Sequence, residues 1–300
     1  MEHQNTVEWN LKDGTIMLHN EKADHRLLLK RYDFIFSFVD EMNRVLGEVP
    51  VMMVFRKVLE KCGAPKEILE NVSVESAGKF VDSLIVPIDI QNSIIPDDVT
   101  WDGKSRTLDY LGTNHWRVLP VSFIQSFREA LYETLTENGT KAIVREATKK
   151  AGIGMANQEI ENYRWKTVED LVDEQDERLY LGTFAHAGWS HSRVFSKKGD
   201  DGNYLFLSKI SNSYESEGVK ENGKPICDWL TGYMDGFYNG VVNKLSGKFV
   251  ETREVRCRAM GDPYCAFAHK VKDNKKDILD WKQIEGAWKE LDAIALSPAA

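Results

Sequence analysis

Two cysteines near the C-terminus have the residue type and spacing of metal ligands. Cys257 and Cys265 flank a Gly261-Asp262-Pro263 turn, which brings their sulfurs toward one point. Thiolates suit zinc, and structural zinc takes four protein ligands in a closed tetrahedron. Cys227 opens a predicted helix and can supply a third sulfur. The pattern predicts a metal centre; the alternative is that these cysteines are small buried core residues.

The fourth ligand is open between two carboxylates. Glu254 lies three positions before Cys257, and an ideal strand would point those two side chains to opposite faces. A β-bulge, or a strand that ends before Cys257, would remove the difficulty. Glu251 has the same strand parity as Cys257 and is the rival oxygen ligand. The spacing alone does not choose between them.

Composition describes an ordinary folded protein. The chain has 300 residues, is 42% apolar and carries a net charge of -8. Its charges are mixed and form no basic stripe, so nucleic-acid binding is not expected. No apolar run is long enough for a membrane span, and the N-terminus lacks a signal peptide, so we expect a cytoplasmic protein. Four cysteines are too few for a secreted disulfide scaffold of this size.

The first half of the sequence contains the same order of elements twice. Residues 6–62 read as a hairpin around Asp13-Gly14, followed by two helices. Residues 101–152 repeat a turn, a strand and two helices, with the last helix predicted over Lys141–Ala151 and stopped by Gly152. The offset of about 90 residues indicates a half-duplication. The alternative is that this common order arose without one.

The second half is predicted to combine a sheet with one strong helix. That helix starts near Pro225 and carries Gly232, Gly236 and Gly240 on one face. Such a face packs closely or leaves space for a ligand, and the spacing favours close packing on the sheet. A short helix is predicted over 166–177. The predicted strands are residues 179–184, 189–195 and 204–210, with a final hairpin over 248–270.

These elements define an α+β fold, in which antiparallel sheet packs with helices and zinc ties the late helix to the last hairpin. We expect an N-terminal region over 1–99, a ligand-binding domain over 100–271 and an amphipathic helix over 272–300. The apolar stripe of that last helix, which includes Trp281, would dock on the body of the protein or on a second subunit.

The C-terminal motif resembles a known family. The run Trp229–Tyr233 with Gly236, followed by Glu254-x-x-Cys257 and Gly261-Asp262-x-x-Cys265, resembles the 4-vinyl reductase domain family. Within it, residues 100–270 look most like the sensor domains of phenol- and xylene-responsive transcriptional activators. The resemblance implies zinc ligands, and it chooses Glu254 over Glu251. The implied ligands are Cys227, Glu254, Cys257 and Cys265.

The resemblance also implies a ligand pocket. In the phenol sensors a histidine and a tryptophan hydrogen-bond the ligand hydroxyl; His186 matches the histidine. Counting back from Ser213 and Glu215, Ile210 takes the place of the tryptophan, which favours a larger or less polar ligand than phenol. The alternative for each wall residue is ordinary core packing. The candidate walls are Trp189, Phe206, Ile210, Tyr233 and Phe237.

We therefore predict a zinc-stabilised binding protein for a small apolar, aromatic molecule. It would act as a sensor, carrier or accessory subunit and could contact a further protein partner. By family analogy we expect a homodimer, with the N-terminal hairpin as a place for the dimer contact. No phosphate-binding G-x-x-x-x-G-K-[ST] loop is present, so a DNA-binding activator is not expected from these residues.

Two alternatives remain open. The first is a reductase or lyase-type enzyme, with His186, His191 and Tyr233 as acid or base; no G-x-G-x-x-G after a strand indicates a nicotinamide cofactor. The second is a redox switch that uses Cys257 and Cys265.

Overall fold

The computed structural model describes residues 6–19, 24–73, 93–97, 99–102, 107–110, 113–175, 184, 187–219, 223–277, 281 and 292; side chains in 28–38, 101–102, 107–110 and 113–118 are not described. The chain divides into two compact units. The first contains residues 1–10, 15–143 and 187–189, and the second contains 11–14, 144–186 and 190–300. Helices and antiparallel sheets make up both, which confirms the predicted mixed fold. None of the described helices is long and apolar enough to cross a membrane.

The first unit is built on a six-stranded antiparallel sheet. Its strands are β1 (Thr6–Asn10), β2 (Thr15–His19), β3 (Asp24–Arg31), β4 (Val99–Asp102), β5 (Thr107–Tyr110) and β6 (Thr113–Pro120). They lie in the order β1-β2-β3-β6-β5-β4. Alternate residues of the first hairpin, such as Val7 and Ile16, are buried. The predicted N-terminal hairpin is confirmed.

Helices cover this sheet and follow its two halves in the chain. They are α1 (Tyr32–Leu46), α2 (Glu48–Lys61), α3 (Lys66–Glu70) and α4 (Val121–Thr134). Phe55 of α2 meets Phe127 of α4 edge to face, with ring centres 5.4 Å apart. Three strands followed by two long helices thus occur twice among the described residues: α1 and α2 follow β3, and α4 and a helix over Glu137–Tyr163 follow β6. The sheet order is symmetric about the β3–β6 pair. The half-duplication stays a prediction that this symmetry favours.

The next helix corrects a sequence prediction. Helix α5 spans Glu137–Tyr163, so the expectation that Gly152 stops it is wrong. Gly152 lies inside the helix, where the backbone of a later helix, α7 (Asp228–Ser246), comes close. A β-carbon on Gly152 would lie 2.1 Å from the carbonyl oxygen of Tyr233. A residue larger than glycine would not fit at this contact between the two helices. In the sequence alone, such a glycine cannot be distinguished from one that ends a helix.

The glycine face of α7 packs against α5. A β-carbon added to Gly236 would lie 1.9 Å from the Lys149 carbonyl oxygen, and one added to Gly232 would lie 2.1 Å from Thr148 Oγ1. Gly240 meets Ala156 in the same way. Close packing of this face is therefore confirmed, but its partner is a helix and not the expected sheet.

The second unit contains a four-stranded antiparallel sheet. A short helix, α6 (Val168–Gln175), precedes β7 (His191–Lys198), β8 (Tyr204–Ser211), β9 (Phe249–Arg256) and β10 (Cys265–Lys272), and the order is β7-β8-β10-β9. Strand β7 starts later than predicted, so Trp189 precedes it. The predicted strand over 179–184 lies outside the described residues except for Phe184.

The two faces of this sheet have different partners. On the inner face, His269 stacks on Tyr238 of α7 with ring centres 4.1 Å apart, and the tilted ring of Phe206 packs against Tyr238 at 4.9 Å. The outer face carries an apolar cluster against which Trp281 packs. Its buried members are Leu207, Tyr264, Ala266 and Ala268. Docking of the C-terminal segment on the body is thus observed at Trp281.

Candidate functional site

Four side chains of the second unit converge on one buried point. The sulfurs of Cys227, Cys257 and Cys265 and a carboxylate oxygen of Glu254 all lie within 4.8 Å of one another. The Cys227 sulfur is 3.6 Å from that of Cys265 and 4.0 Å from that of Cys257. Two thiolates on one tetrahedral zinc are about 3.8 Å apart at normal bond lengths. The cluster can therefore hold a metal ion without rearrangement of its sulfurs.

A β-bulge solves the parity problem of Glu254 and Cys257. The pairing of β9 with β10 joins Arg256 to Ala266 and Glu254 to Phe267, so Val255 is the extra residue. Glu254 faces inward, Val255 packs with the outer cluster, and Cys257 follows the end of the strand. The β-bulge and the end of the strand before Cys257, either of which would have been enough, are both present. The bulge lets two ligands three positions apart face the same ion.

The two carboxylate candidates have different surroundings. The backbone N–H of Cys227 donates to Oε2 of Glu254 at 3.1 Å, while Oε1 is buried without a hydrogen-bond partner among the described residues. Glu251 instead pairs with Arg253 at 2.9 Å and Lys272 at 3.4 Å. A buried oxygen without a partner is costly, and a metal ion would satisfy it. Geometry thus favours Glu254.

The protonation of the cluster also fits a cation. Burial, with repulsion from Cys257, raises the pKa of Glu254 well above its usual range. Hydrogen bonds with Cys257 and Cys265, and then burial, raise the pKa of Cys227 well above its usual range. Hydrogen bonds with Cys227 and Cys257 instead lower the pKa of Cys265 to about 4. The four acidic groups cannot all ionise together in a buried space unless a positive charge joins them. A divalent metal would supply that charge and displace the remaining protons.

Two carboxylates that the sequence analysis missed hold the ligand-bearing backbone in place. Glu215, itself buried, accepts hydrogen bonds from the backbone N–H groups of Trp229 and Leu230 at 3.0 and 2.8 Å. It caps the first turn of α7, which Cys227 precedes. Asp262 accepts from the N–H of Cys257 at 2.8 Å. Asp262 could have been found from the Gly-Asp-Pro turn, but no local signal marks Glu215 as a cap.

The predicted ligand residues are only partly brought together. Phe206 and Phe237 both contact Tyr238, which the sequence did not single out. Ile210 pairs with Cys265 and shares the inner face with Phe206, so it lies beside the metal cluster. Tyr233 lies on α7, as Phe237 and Tyr238 do, and its ring centre is 6.1 Å from that of Phe184. Among the described residues, these side chains are buried and packed on one another.

The remaining predicted residues lie elsewhere. His186 is outside the described residues, and Trp189 belongs to the first unit. His191 pairs with Ser211, so by strand parity it points to the outer side of the sheet, away from Ile210. His191 is buried, and neither ring nitrogen has a hydrogen-bond partner among the described residues.

An open cavity of about 380 Å³ lies beside the turn between β9 and β10. Residues 216–219 and 261–263 and Arg258 line it. These side chains are mainly polar, so this cavity is distinct from the apolar pocket that the sequence predicted.

Comparison with known proteins confirms the resemblance for the segment that carries the cluster. Residues 207–271, from β8 to β10, match the family model of the 4-vinyl reductase domain. An uncharacterized protein of Methanocaldococcus jannaschii is 31% identical over 68 residues, which cover 23% of this chain and 40% of that relative.

Two solved structures are similar at a lower level. The phenol-responsive sensory domain of the transcription activator PoxR, with phenol, is 17% identical with a TM-score of 0.46, over 68% of this chain and 93% of that one. Trafficking protein particle complex subunit 3 from Naegleria fowleri, covalently bound to palmitic acid, is 9% identical with a TM-score of 0.41, over 52% of this chain and 95% of that one.

Proposed function

We propose that this chain, whose residues 207–271 match the 4-vinyl reductase domain, is a zinc-stabilised binding protein for a small apolar, aromatic molecule. The observation that carries the proposal is the convergence of three sulfurs and one carboxylate oxygen on a single point. Four protein ligands fill a tetrahedral zinc and leave no position for an activated water. Such a centre stabilises structure, and the biological activity is then binding by the surrounding domain.

Zinc in this cluster would join two elements that are distant in sequence. Cys227 lies at the start of α7, and the other three ligands lie on β9, β10 and the turn between them. The metal would fix the helix against the hairpin and so hold the inner face of the sheet beside α7. The binding free energy of a structural zinc contributes directly to folding.

The ligand site we propose lies between α7 and the inner face of β8. Phe206 and Ile210 would line it from the strand, and Tyr233 and Phe237 from the helix, with His186 as the polar contact. Support comes from the pairing of Ile210 with Cys265, because a molecule that contacts Ile210 would be adjacent to a metal ligand. Apolar walls with few polar groups are typical of small-molecule sites.

The proposal is tested by calorimetry on the zinc-loaded full chain with phenol and with a larger aromatic, 2-naphthol. We expect 2-naphthol to bind more tightly than phenol. Tyr233→Phe should weaken binding of 2-naphthol, because it removes a hydroxyl from the proposed wall that could pair with the hydroxyl of the ligand. Tyr238→Phe is the matched control, because it removes a tyrosine hydroxyl from the same helix, one that donates to Gln175 at 3.0 Å and lies outside the proposed wall. Failure of every aromatic compound to bind the zinc-loaded protein would rule the proposal out.

The predicted organisation belongs to the same proposal. We propose a homodimer in the cytoplasm, with a contact at the N-terminal hairpin, and a division into regions 1–99, 100–271 and 272–300. Native mass spectrometry of the protein as isolated would report zinc, bound ligand and subunit number together. A monomer at micromolar concentration would contradict the dimer.

The surroundings of His191 favour an enzyme as the second candidate. A buried imidazole whose two nitrogens have no partner among the described residues is available to a substrate as acid or base. In that case His191→Ala should abolish turnover of an aromatic substrate at a site on the outer side of the sheet; His186 and Tyr233 are the acid or base candidates for a separate site beside α7. Turnover that survives both His191→Ala and His186→Ala would remove this candidate.

A further inference from the structure

A row of side chains on the outer face of the second sheet brings two cations together. Lys209 of β8 and Arg256 of β9 both pair with Ala266 of β10, one from each side. Ala266 itself is buried and carries only a methyl group between these two long side chains. Tyr264 lies on the same face, where the Lys209 nitrogen is 4.6 Å from its ring centre and the Arg256 guanidinium carbon is 5.2 Å away.

A carboxylate from the C-terminal segment occupies this position. The Arg256 guanidinium donates to both oxygens of Asp292, at 2.6 and 3.2 Å, and the Tyr264 hydroxyl donates to one of them. Two parallel hydrogen bonds from one guanidinium are the strong and specific way to hold a carboxylate. We call Lys209, Arg256 and Tyr264 the carboxylate clamp.

A second contact attaches the same segment to the same face. Trp281 packs against the outer apolar cluster, and the guanidinium carbon of Arg253 lies 4.3 Å from the centre of its ring. Arg253 and Arg256 both belong to β9. The C-terminal segment is therefore held at two points along one strand, by an aromatic contact and by an acidic one.

The clamp and the metal cluster share the same two chain segments. Arg256 directly precedes Cys257, and Tyr264 directly precedes Cys265. The bulge at Val255 turns Arg256 outward and leaves Cys257 facing inward. One peptide unit joins Arg256 to Cys257, and another joins Tyr264 to Cys265, so a change in the separation of the two cysteines can be passed on to Arg256 and Tyr264.

We propose that Lys209, Arg256 and Tyr264 form a carboxylate-binding site that the metal centre assembles, and that its resident ligand is Asp292. The inference rests on the proposed zinc centre and extends it. Zinc fixes Cys257 and Cys265 at the distance at which the clamp fits a carboxylate. Loading the metal therefore docks the C-terminal segment on the outer face, and loss of the metal releases it and uncovers the apolar cluster.

The test measures two properties of the full chain that must change together. Hydrogen exchange of the peptides that contain Trp281 and Asp292 reports their docking, and competition with a chromophoric chelator reports zinc affinity. Asp292→Asn should increase exchange of the C-terminal segment. Because coupling between two sites is reciprocal, it should also lower zinc affinity, by about fivefold or more. Asp292→Glu, which keeps the carboxylate, should restore both values in part, and Asp200→Asn, in an exposed loop, should change neither.

The outcomes separate this inference from the proposed function. If the purified chain binds no zinc, both are wrong. If it binds zinc but Asp292→Asn leaves zinc affinity unchanged, or leaves exchange of the segment unchanged, this inference alone is overturned. The side chain of Asp292 is 49% exposed, so the substitution does not threaten folding. Circular dichroism and exchange of α7 confirm that the second unit is intact in each variant.

Discussion

The backbone N–H of Cys227 donates a 3.1 Å hydrogen bond to Oε2 of Glu254, and Oε1 of the same carboxylate is buried without a partner among the described residues. One oxygen thus orients the side chain, and a carboxylate oxygen of Glu254 lies within 4.8 Å of all three sulfurs. A carboxylate that binds a metal through one oxygen commonly accepts a hydrogen bond from a neighbouring group through the other, which fixes its position. The hydrogen bond also links the start of α7 to β9.

Replacement of Glu254 by glutamine separates these two roles. The amide oxygen of Glu254→Gln can still accept the Cys227 N–H, but the neutral amide is a poor ligand for zinc. We expect zinc affinity to fall by more than about tenfold. Competition with a chromophoric chelator measures the change.

Glu251→Gln is the matched control, because Glu251 lies on the same strand and pairs with Arg253 and Lys272. Its zinc affinity should stay within about twofold of the parent protein. Equal losses in the two variants would show that net charge, and not ligation, determines affinity.

Substitution of alanine for Gly152 and for Gly154, both in α5, should have opposite effects on the free energy of unfolding. Gly152→Ala would place a methyl carbon 2.1 Å from the Tyr233 carbonyl oxygen, so α5 and α7 must separate. We expect a loss of about 1–3 kcal/mol in the free energy of unfolding. Gly154→Ala meets nothing within 4 Å and should instead stabilise the protein by about 0.5–1 kcal/mol. Urea denaturation measures both, and a stable Gly152→Ala protein would contradict the close approach of the helices.

The contrast between Gly152 and Glu254 shows what the sequence could predict. The residue types around Cys257 and Cys265 predicted metal ligation, and strand parity correctly required either a bulge or the end of the strand before Cys257. Gly152 was misread because a glycine that ends a helix and one that admits a neighbouring backbone look the same in one dimension. Glu215 was missed for a similar reason, since it caps a helix that begins more than ten residues later. Long-range contacts of this kind leave no local pattern.

His269 gives the second unit a dependence on pH. Burial lowers the pKa of His269 to about 3, and its two nitrogens lie 3.0 Å from the hydroxyls of Ser208 and Thr252. The unfolded chain takes up a proton near pH 6.5, while the folded protein does not do so until about pH 3. The stability from the neutral imidazole is therefore complete above pH 6.5 and is lost as the pH falls toward 3.

Between pH 6.5 and 4.5 this loss amounts to about 2 kcal/mol. His269→Gln, which can still hydrogen-bond both hydroxyls, should show a shallower loss of stability over that range in urea denaturation at each pH. His25→Gln, at an exposed position, should keep the slope of the parent protein. If His269→Gln keeps the full slope as well, the buried imidazole is not its source.

Glu215 and Asp170 make the same pair of contacts in different surroundings. The buried Glu215 carboxylate accepts from two backbone N–H groups of α7, and the exposed Asp170 carboxylate accepts from the N–H groups of Lys166 and Thr167 at 2.7 and 2.9 Å. In Asp170→Ala, water can replace the lost acceptor, and we expect a cost of about 0.5–1 kcal/mol.

Glu215→Ala should cost more, about 2–3 kcal/mol, because it leaves two buried N–H groups without an acceptor. The first turn of α7 follows directly on Cys227, so the same substitution should also weaken zinc binding, whereas Asp170→Ala should not. Urea denaturation and chelator competition on the two variants provide the comparison. If Glu215→Ala loses stability but keeps full zinc affinity, the metal cluster tolerates disorder in the first turn of its helix, and the cap serves the fold alone.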